Sequence, residues 1–194
     1  MRTLYRGIFV PIITYAAARW ADKLNVHHKR KLRQAQRSAL PRVTKAYRTI
    51  STEALCVIAG AALIKLVAKK KKRSLYYLRK GREFQHFSIR HEPQQQQTKT
   101  ELERSKHIIR DETVRKWQEE WDASQKGRIT YRFHSNIQDR LSARWIHHNH
   151  YMVQMLSGHG NFKANLRKLG LIETEICTCG ETDTVEHVIF ECTY

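Results

Sequence analysis

Residues 50–81 read ISTEALCVIAGAALIKLVAKKKKRSLYYLRKG, and the punctuation in this stretch sets the fold class. Ser51 is a good N-cap, because its hydroxyl can accept one of the orphan N–H groups of a first helical turn. Glu53 suits the positive end of the same helix. Gly60 offers the left-handed residue that commonly stops one. Cys56 falls inside this short apolar helix and reads as a small buried hydrophobe. Leu63, Leu66, Val67, Leu75 and Leu78 then recur at helical spacing up to Gly81, around the consecutive cations Lys69, Lys70, Lys71, Lys72 and Arg73. Such a run can be a nuclear-import signal, a phosphate-contacting strip or a solvated helix face. Tyr76 and Tyr77 beside it interleave aromatic with basic groups, as single-strand binders do.

Working outward, Ile12, Tyr15, Ala16, Trp20 and Leu24 mark one face of a helix over 10–24, with Pro11 suited to its first position. The stretch 27–47 puts Leu32, Gln36, Leu40, Val43 and Tyr47 on one side and Lys29, Arg30, Lys31, Arg33 and Arg37 on the other. Pro41 is expected to kink or split it. Periodicity fails over 82–100, REFQHFSIRHEPQQQQTKT, which reads as a linker. Beyond it, Leu102, Ile109, Thr113, Trp117 and Trp121 line a helix closing at Gly127. RITYRF, 128–133, reads as a short extended piece. Ser135 then caps a helix carrying Ile137, Leu141, Trp145, Met152 and Leu156 as far as Gly158. Phe162, Leu166 and Leu169 mark a last short helix. The expected fold is mainly α with no visible sheet: a basic helical half at 1–81, a linker at 82–100, a helical connector at 101–170 and a small zinc knuckle at 171–194.

The charge is lopsided. Residues 1–90 hold 22 Lys/Arg against three acids, and residues 91–194 hold 14 against 15, so the net +18 sits wholly in the first half. A surface this basic attracts phosphate backbones by counterion release, or anionic headgroups. RNA and DNA are the expected partners, and Lys29, Arg30, Arg33, Arg37, Lys70, Lys71, Lys72 and Arg73 the expected phosphate contacts. These would position a strand without reading its sequence. No membrane is expected, since the apolar run from Ile8 to Ala18 is too short to span one. It imitates a secretory signal but continues in helical period. Three clustered cysteines and a stray one make no extracellular disulfide framework, which points to a reducing, intracellular compartment.

The clustered cysteines lie in CTCGETDTVEHVIFECTY, residues 177–194, with spacing C-x-C-x(7)-H-x(4)-C. Cys177, Cys179, His187 and Cys192 are the thiolates and imidazole that tetrahedral zinc takes. Cys177 and Cys179 would come from a tight turn opening at Gly180. Asp183 would N-cap a helical turn bearing His187, with Glu186 at N3. His187 and Cys192 are five apart, about 140° around an ideal helix, so they converge only if the helix ends or unwinds before Cys192. Four ligands leave no open coordination position, so the zinc is expected to be structural. Ser157-Gly158-His159-Gly160 sets a hydroxyl near an imidazole, but without a nucleophile elbow or acid partner it reads as a helix-ending turn. His147, His148 and His150 read as a solvated helix face. There is no Walker loop, no dinucleotide fingerprint and no paired aspartates for a two-metal polymerase or nuclease.

In order along the chain, LYRGIFVPIITYAAARWAD, QAQRSALPRVTKAYRTISTEALCVIAG, WQEEWDASQKGRITYRF, MLSGHGNFKANLRKLG and CTCGETDTVEHVIFEC resemble one family. They look like the region following the polymerase fingers and palm in the Pol polyprotein of insect non-LTR, type-1 retrotransposons that insert into ribosomal RNA genes. The family commonly has threonine where Ser157 stands. The resemblance implies an RNA-directed DNA polymerase with endonuclease, copying element RNA onto a nicked chromosomal target. Residues 1–81 would end the polymerase region and form a helical thumb. Residues from about 100 would form the connector and a zinc knuckle that is a small rigid nucleic-acid contact. The implied partners are RNA, DNA and the upstream polymerase and endonuclease domains of the same polyprotein. The implied location is nuclear, with cytoplasmic assembly on element RNA. The F/Y-x-D-D motif, with its magnesium, and an endonuclease site are absent. The chain is therefore expected to be a fragment inactive alone, with an incidental Met1 and a truncated knuckle. The rival reading is a stand-alone zinc-dependent RNA/DNA-binding adaptor.

Overall fold

The Ser51 cap forms as its chemistry demands. Its hydroxyl accepts the Ala54 N–H at 3.3 Å, opening α5 (Thr52–Ala59), and Gly60 closes the helix at φ 61°. Every side chain of α5 except Glu53 is buried, Cys56 included. The structure, a computed structural model, describes residues 2–75, 84–86, 89–91, 99–143, 146 and 149–193. It is mainly α. The chain forms two compact units that interleave along the sequence: unit 1 is residues 1–39 and 61–123, and unit 2 is residues 40–60 and 124–194. The sequence reading instead divides the chain serially at 82–100. Within that stretch β1 (Phe84–His86) and β2 (Ile89–His91) pair antiparallel, Phe84 opposite His91 and Gln85 opposite Arg90, a hairpin where no sheet was expected. Three-residue strands are too short to announce themselves by alternation. The expectations for Tyr76, Tyr77, Leu78, Trp145, His147 and His148 fall outside the described residues.

In unit 1 the single helix expected over 10–24 is broken. α1 (Arg2–Leu4) leads through a π turn at Tyr5–Phe9 into α2 (Val10–Ile13), which ends at Thr14, and Ala16 adopts φ 49° before α3 (Ala17–Trp20) begins. The break turns Ile12 and Tyr15 outward, 66% and 83% exposed, while Ala17 and Ala21 pack on Ala68 beside Trp20. α4 (Val26–Thr44) runs as one helix through Pro41, so the expected split does not occur. Pro41 has no N–H to give the Arg37 carbonyl, and the helix ends three residues later at Thr44. Buried Gln36 is fully occupied: its amide donates to Tyr5 Oη and the Ala62 carbonyl, each at 2.9 Å, and its oxygen accepts the Ile64 N–H at 2.9 Å. That last bond satisfies an orphan donor at the start of α6 (Ile64–Arg73). α6 packs between α3 and α7 (Lys99–Asp122), which buries Ile109, Thr113, Trp117 and Trp121 on one face as their spacing predicts.

In unit 2, α5 packs with α8 (Arg128–Phe133) and α10 (His150–Ser157). RITYRF is thus helix rather than strand; Gly127 opens it at φ 75° instead of closing α7. The one helix expected from Ser135 to Leu156 is two. Asn136 caps α9 (Ile137–Ser142) and Asn149 caps α10, each by a side-chain oxygen accepting first-turn N–H groups. Arg140, 6% exposed, donates to the Ile58 carbonyl at 2.7 Å, satisfying an acceptor in the last turn of α5.

Gly158 ends α10 at φ 70°, and a Cβ built there would meet Ile129 Cδ1 at 2.3 Å. Gly158→Ala is therefore expected to cost about 1–2 kcal/mol for the left-handed backbone, plus the displacement of Ile129. Urea denaturation measures it, and a loss below about 0.5 kcal/mol would contradict the argument.

Candidate metal centre

The turn after Ile176 brings two sulfurs close. Cys177 N–H donates to the Glu181 carbonyl at 2.7 Å, Gly180 N–H donates back to the Cys177 carbonyl at 3.0 Å, and Ile176 bridges to Thr182. Gly180 holds φ 96°, which only glycine takes without strain. The other two ligands come from the chain's last helical turn. Thr184 caps it, its hydroxyl accepting the His187 N–H at 3.1 Å. The expected Asp183/Glu186 capping box is therefore not formed. Asp183 works elsewhere: its carboxylate accepts the Lys163 N–H at 3.2 Å and its carbonyl the Ala164 N–H at 3.2 Å, so it ties the knuckle to the start of α11 (Lys163–Lys168). Glu186 pairs with Arg132 at 3.0 Å.

The five-residue spacing of His187 and Cys192 is resolved by geometry. His187–Glu191 is a π turn, with the Cys192 N–H bonded to the His187 carbonyl at 2.7 Å, and Cys192 itself is extended. An i→i+5 bond completes a turn in about the number of residues that separates the two ligands, so they return to one side. Cys177, Cys179, His187 and Cys192 thus converge, with all four ligand atoms within 4.8 Å of one another. Cys177 Sγ and Cys192 Sγ are 3.8 Å apart, and Cys179 Sγ lies 3.0 Å from His187 Nε2. A zinc tetrahedron has edges of about 3.8 Å between sulfurs and about 3.6 Å between sulfur and nitrogen, from its usual bond lengths. The first edge fits as it stands; the second needs only slight expansion. This Cys3His cluster can hold a metal ion.

The surroundings suit one. His187 is 4% exposed, and its other ring nitrogen, Nδ1, has no hydrogen-bond partner but lies 3.9 Å from the Glu191 carboxylate, the kind of outer group that orients a metal-bound imidazole. The Cys179 N–H beside the Cys177 thiol lowers its pKa to about 6, so it is largely thiolate at neutral pH. The Cys179 thiol is pulled down by the Glu181 N–H, but burial and the neighbouring sulfurs outweigh that and raise it.

Hydrolytic chemistry finds no support at Ser157 and His159. The Ser157 hydroxyl donates to the Val153 carbonyl at 2.7 Å, and the His159 ring lies against the Ser157 carbonyl at 2.8 Å. His150 is occupied by the Lys45 carbonyl at 2.8 Å.

All eight cations expected at phosphates lie in unit 1, whose 25 Lys/Arg against ten acids give +15; unit 2 has 11 against eight, or +3. On α4, Lys29, Arg30 and Arg33 are exposed and Arg37 is half-buried. On α6 the run divides by its place on the helix. Lys71 is exposed, whereas Lys72 pairs with Asp22. Lys70 is half-buried, its pKa lowered by burial and then by Arg110. Arg73 is 1% exposed and paired with Glu112, itself 7% exposed, so its expected place at a phosphate is corrected to an internal ion pair. Glu112, Asp22, Asp183 and Thr184 were not singled out from the sequence for these roles. Glu191 stood four residues from His187, the spacing of helical neighbours.

Fold and site together define a mainly helical, strongly basic chain that ends in a Cys3His cluster able to hold a metal ion. Over 99% of its length it is 34% identical to a retrovirus-related Pol polyprotein from type-1 retrotransposable element R1 4 of Nasonia vitripennis, covering 48% of that protein. It is 32% identical over 96% of its length to the corresponding polyprotein from element R1 2 of the same insect, covering 45% of it. A third relative, from element R1 of Bradysia coprophila, is 30% identical over 97% of the chain, which covers 19% of that protein. The chain is a homologue of insect R1-type retrotransposon Pol polyproteins, and it spans about half the length of the first two. No family model and no solved structure matches it.

Proposed function

We propose that the chain is the nucleic-acid-gripping part of a retrotransposon Pol polyprotein, holding template–primer and element RNA or target DNA during target-primed reverse transcription. The observation that carries this reading is the +15 of unit 1, with Lys29, Arg30, Arg33 and Lys71 open to solvent. Cations in that number neutralise a phosphate backbone and release its counterions. The relatives' description as Pol polyproteins supplies the context. On this reading the parent protein is an RNA-directed DNA polymerase with endonuclease, acting in the nucleus. Its active sites and magnesium belong to other domains, and this part is inactive alone. Residues 1–81 serve as a thumb, 101–170 as a connector, and the Cys3His cluster holds a structural zinc.

The test is the salt dependence of binding to a single-stranded RNA oligonucleotide. Lys29→Ala/Arg30→Ala/Arg33→Ala is expected to weaken binding across sequences and to flatten the slope of log K against log salt by about 1–3 units. Lys71→Ala should remove a smaller share, and Arg73→Ala should act through stability instead. An unchanged slope in the triple variant would take α4 out of the interface.

A further inference from the structure

The knuckle does not share the charge of the rest of the chain. Residues 171–194 carry Glu173, Glu175, Glu181, Asp183, Glu186 and Glu191 and not one Lys or Arg, a balance of −6. Three thiolates around a divalent ion would add one more negative charge. Cations from the rest of unit 2 attend some of these groups: Arg132 pairs with Glu186 and Arg167 with Glu175, both at 3.0 Å. Glu173, Glu181 and Glu191 stand exposed. Amid this charge the segment shows apolar side chains to solvent: Leu171 at 66%, Ile176 at 43%, Val188 at 45% and Phe190 at 67%. The Phe190 ring is held in place by stacking on Phe133, with centroids 6.1 Å apart and planes 20° apart.

Resting on the reading of this cluster as a metal site, we infer that the knuckle docks a cation-rich, amphipathic protein segment and does not hold nucleic acid. An exposed, pre-ordered phenylalanine could stack on a base for about 1–3 kcal/mol. Each stacked base, however, brings phosphates beside Glu191, the next residue, in a segment whose own balance is −6 and which Lys163, donating to the Ile176 carbonyl at 2.9 Å, offsets only in part. That segment repels them and forgoes the counterion release that drives nucleic-acid binding. The same charge attracts a Lys/Arg-rich segment, and Phe190 and Val188 give the apolar side of an amphipathic helix something to cover. The required chemistry is modest, and α4 of this chain illustrates it: six cations and no acid in 19 residues.

A fluorescein-labelled peptide of residues 26–44 therefore serves as the probe, alongside a labelled single-stranded RNA, each titrated with the full zinc-loaded chain at low salt. Glu173→Lys/Glu181→Lys and Phe190→Ser are each expected to weaken the peptide about tenfold or more. The charge reversal is expected to leave RNA binding equal or tighter. Metal content is measured on every sample. A variant that loses metal is replaced by Glu173→Lys alone, which lies outside the ligand set. If Phe190→Ser weakens RNA and spares the peptide, the surface belongs to nucleic acid and the inference falls. It falls equally if neither variant alters peptide affinity, or if the zinc-loaded wild type binds no peptide. A wild type that takes up no zinc overturns the metal reading instead.

Discussion

Cys192→Ser is expected to release the metal and unfold residues 171–193 while leaving unit 1 intact. The segment is too short to build a core of its own; its buried residues are few, Val185 and His187 being the clearest. On the proposed function ligation supplies most of its order, beside the Asp183, Arg132 and Arg167 contacts; in small zinc-folded peptides ligation is worth about 10–16 kcal/mol at neutral pH. Losing one of four ligands, at the residue where the π turn gives way to extended chain, removes both a bond and the reason for the turn. Metal analysis should fall from one zinc per chain toward none. Amide exchange should rise over 171–193 and spread to α11, which Asp183 tethers through Lys163 and Ala164. Stoichiometric zinc in the variant would show that the ligand set is misassigned. Chelation of the wild type should reproduce the same local unfolding.

The second large effect lies at the ion pair between α6 and α7. Glu112→Ala leaves the Arg73 guanidinium buried without that carboxylate, and breaking a buried pair from one side typically costs about 3–5 kcal/mol. Replacing both partners, as Arg73→Met/Glu112→Leu, should restore most of the loss, because the desolvation of two charges disappears with them. Urea denaturation of the two variants gives the comparison. A single variant as stable as the double would mean that the pair sits in a wetter place than its 1% and 7% exposures indicate.

What could be read from the sequence was whatever local chemistry decides. Ser51 and Gly60 bracket α5 because a cap and a left-handed stop act within a few residues, and the Trp117/Trp121 face of α7 announces itself by period. RITYRF misled because β-branched and aromatic residues favour strands, while its burial against α5 and α10 is decided by distant chain. A continuous apolar period across 137–156 concealed the Asn149 cap, which interrupts the helix without interrupting the pattern. The four metal ligands were legible as residue types, yet the π turn that joins two of them follows no simple sequence rule. Arg73 belonged, by composition, to a solvated run. Only the place of Glu112 on another helix shows that it points inward. The acidity of the knuckle was hidden by averaging, since residues 91–194 sum to nearly zero.

Interleaving also sets an order of events during synthesis. α5 leaves the ribosome with its apolar face complete, but α8, the earlier in sequence of the two helices α5 packs with, begins 69 residues after α5 ends, at Arg128. At about 5–20 residues per second, that helix is missing for roughly 3–14 s. Over that interval Leu55, Val57 and Ile58 lack the α8 and α10 faces that α5 packs against in the folded chain. The same threading means that a cut at 82–100 separates α5 from α8 and α10, and α6 from α7, so neither half inherits a whole core.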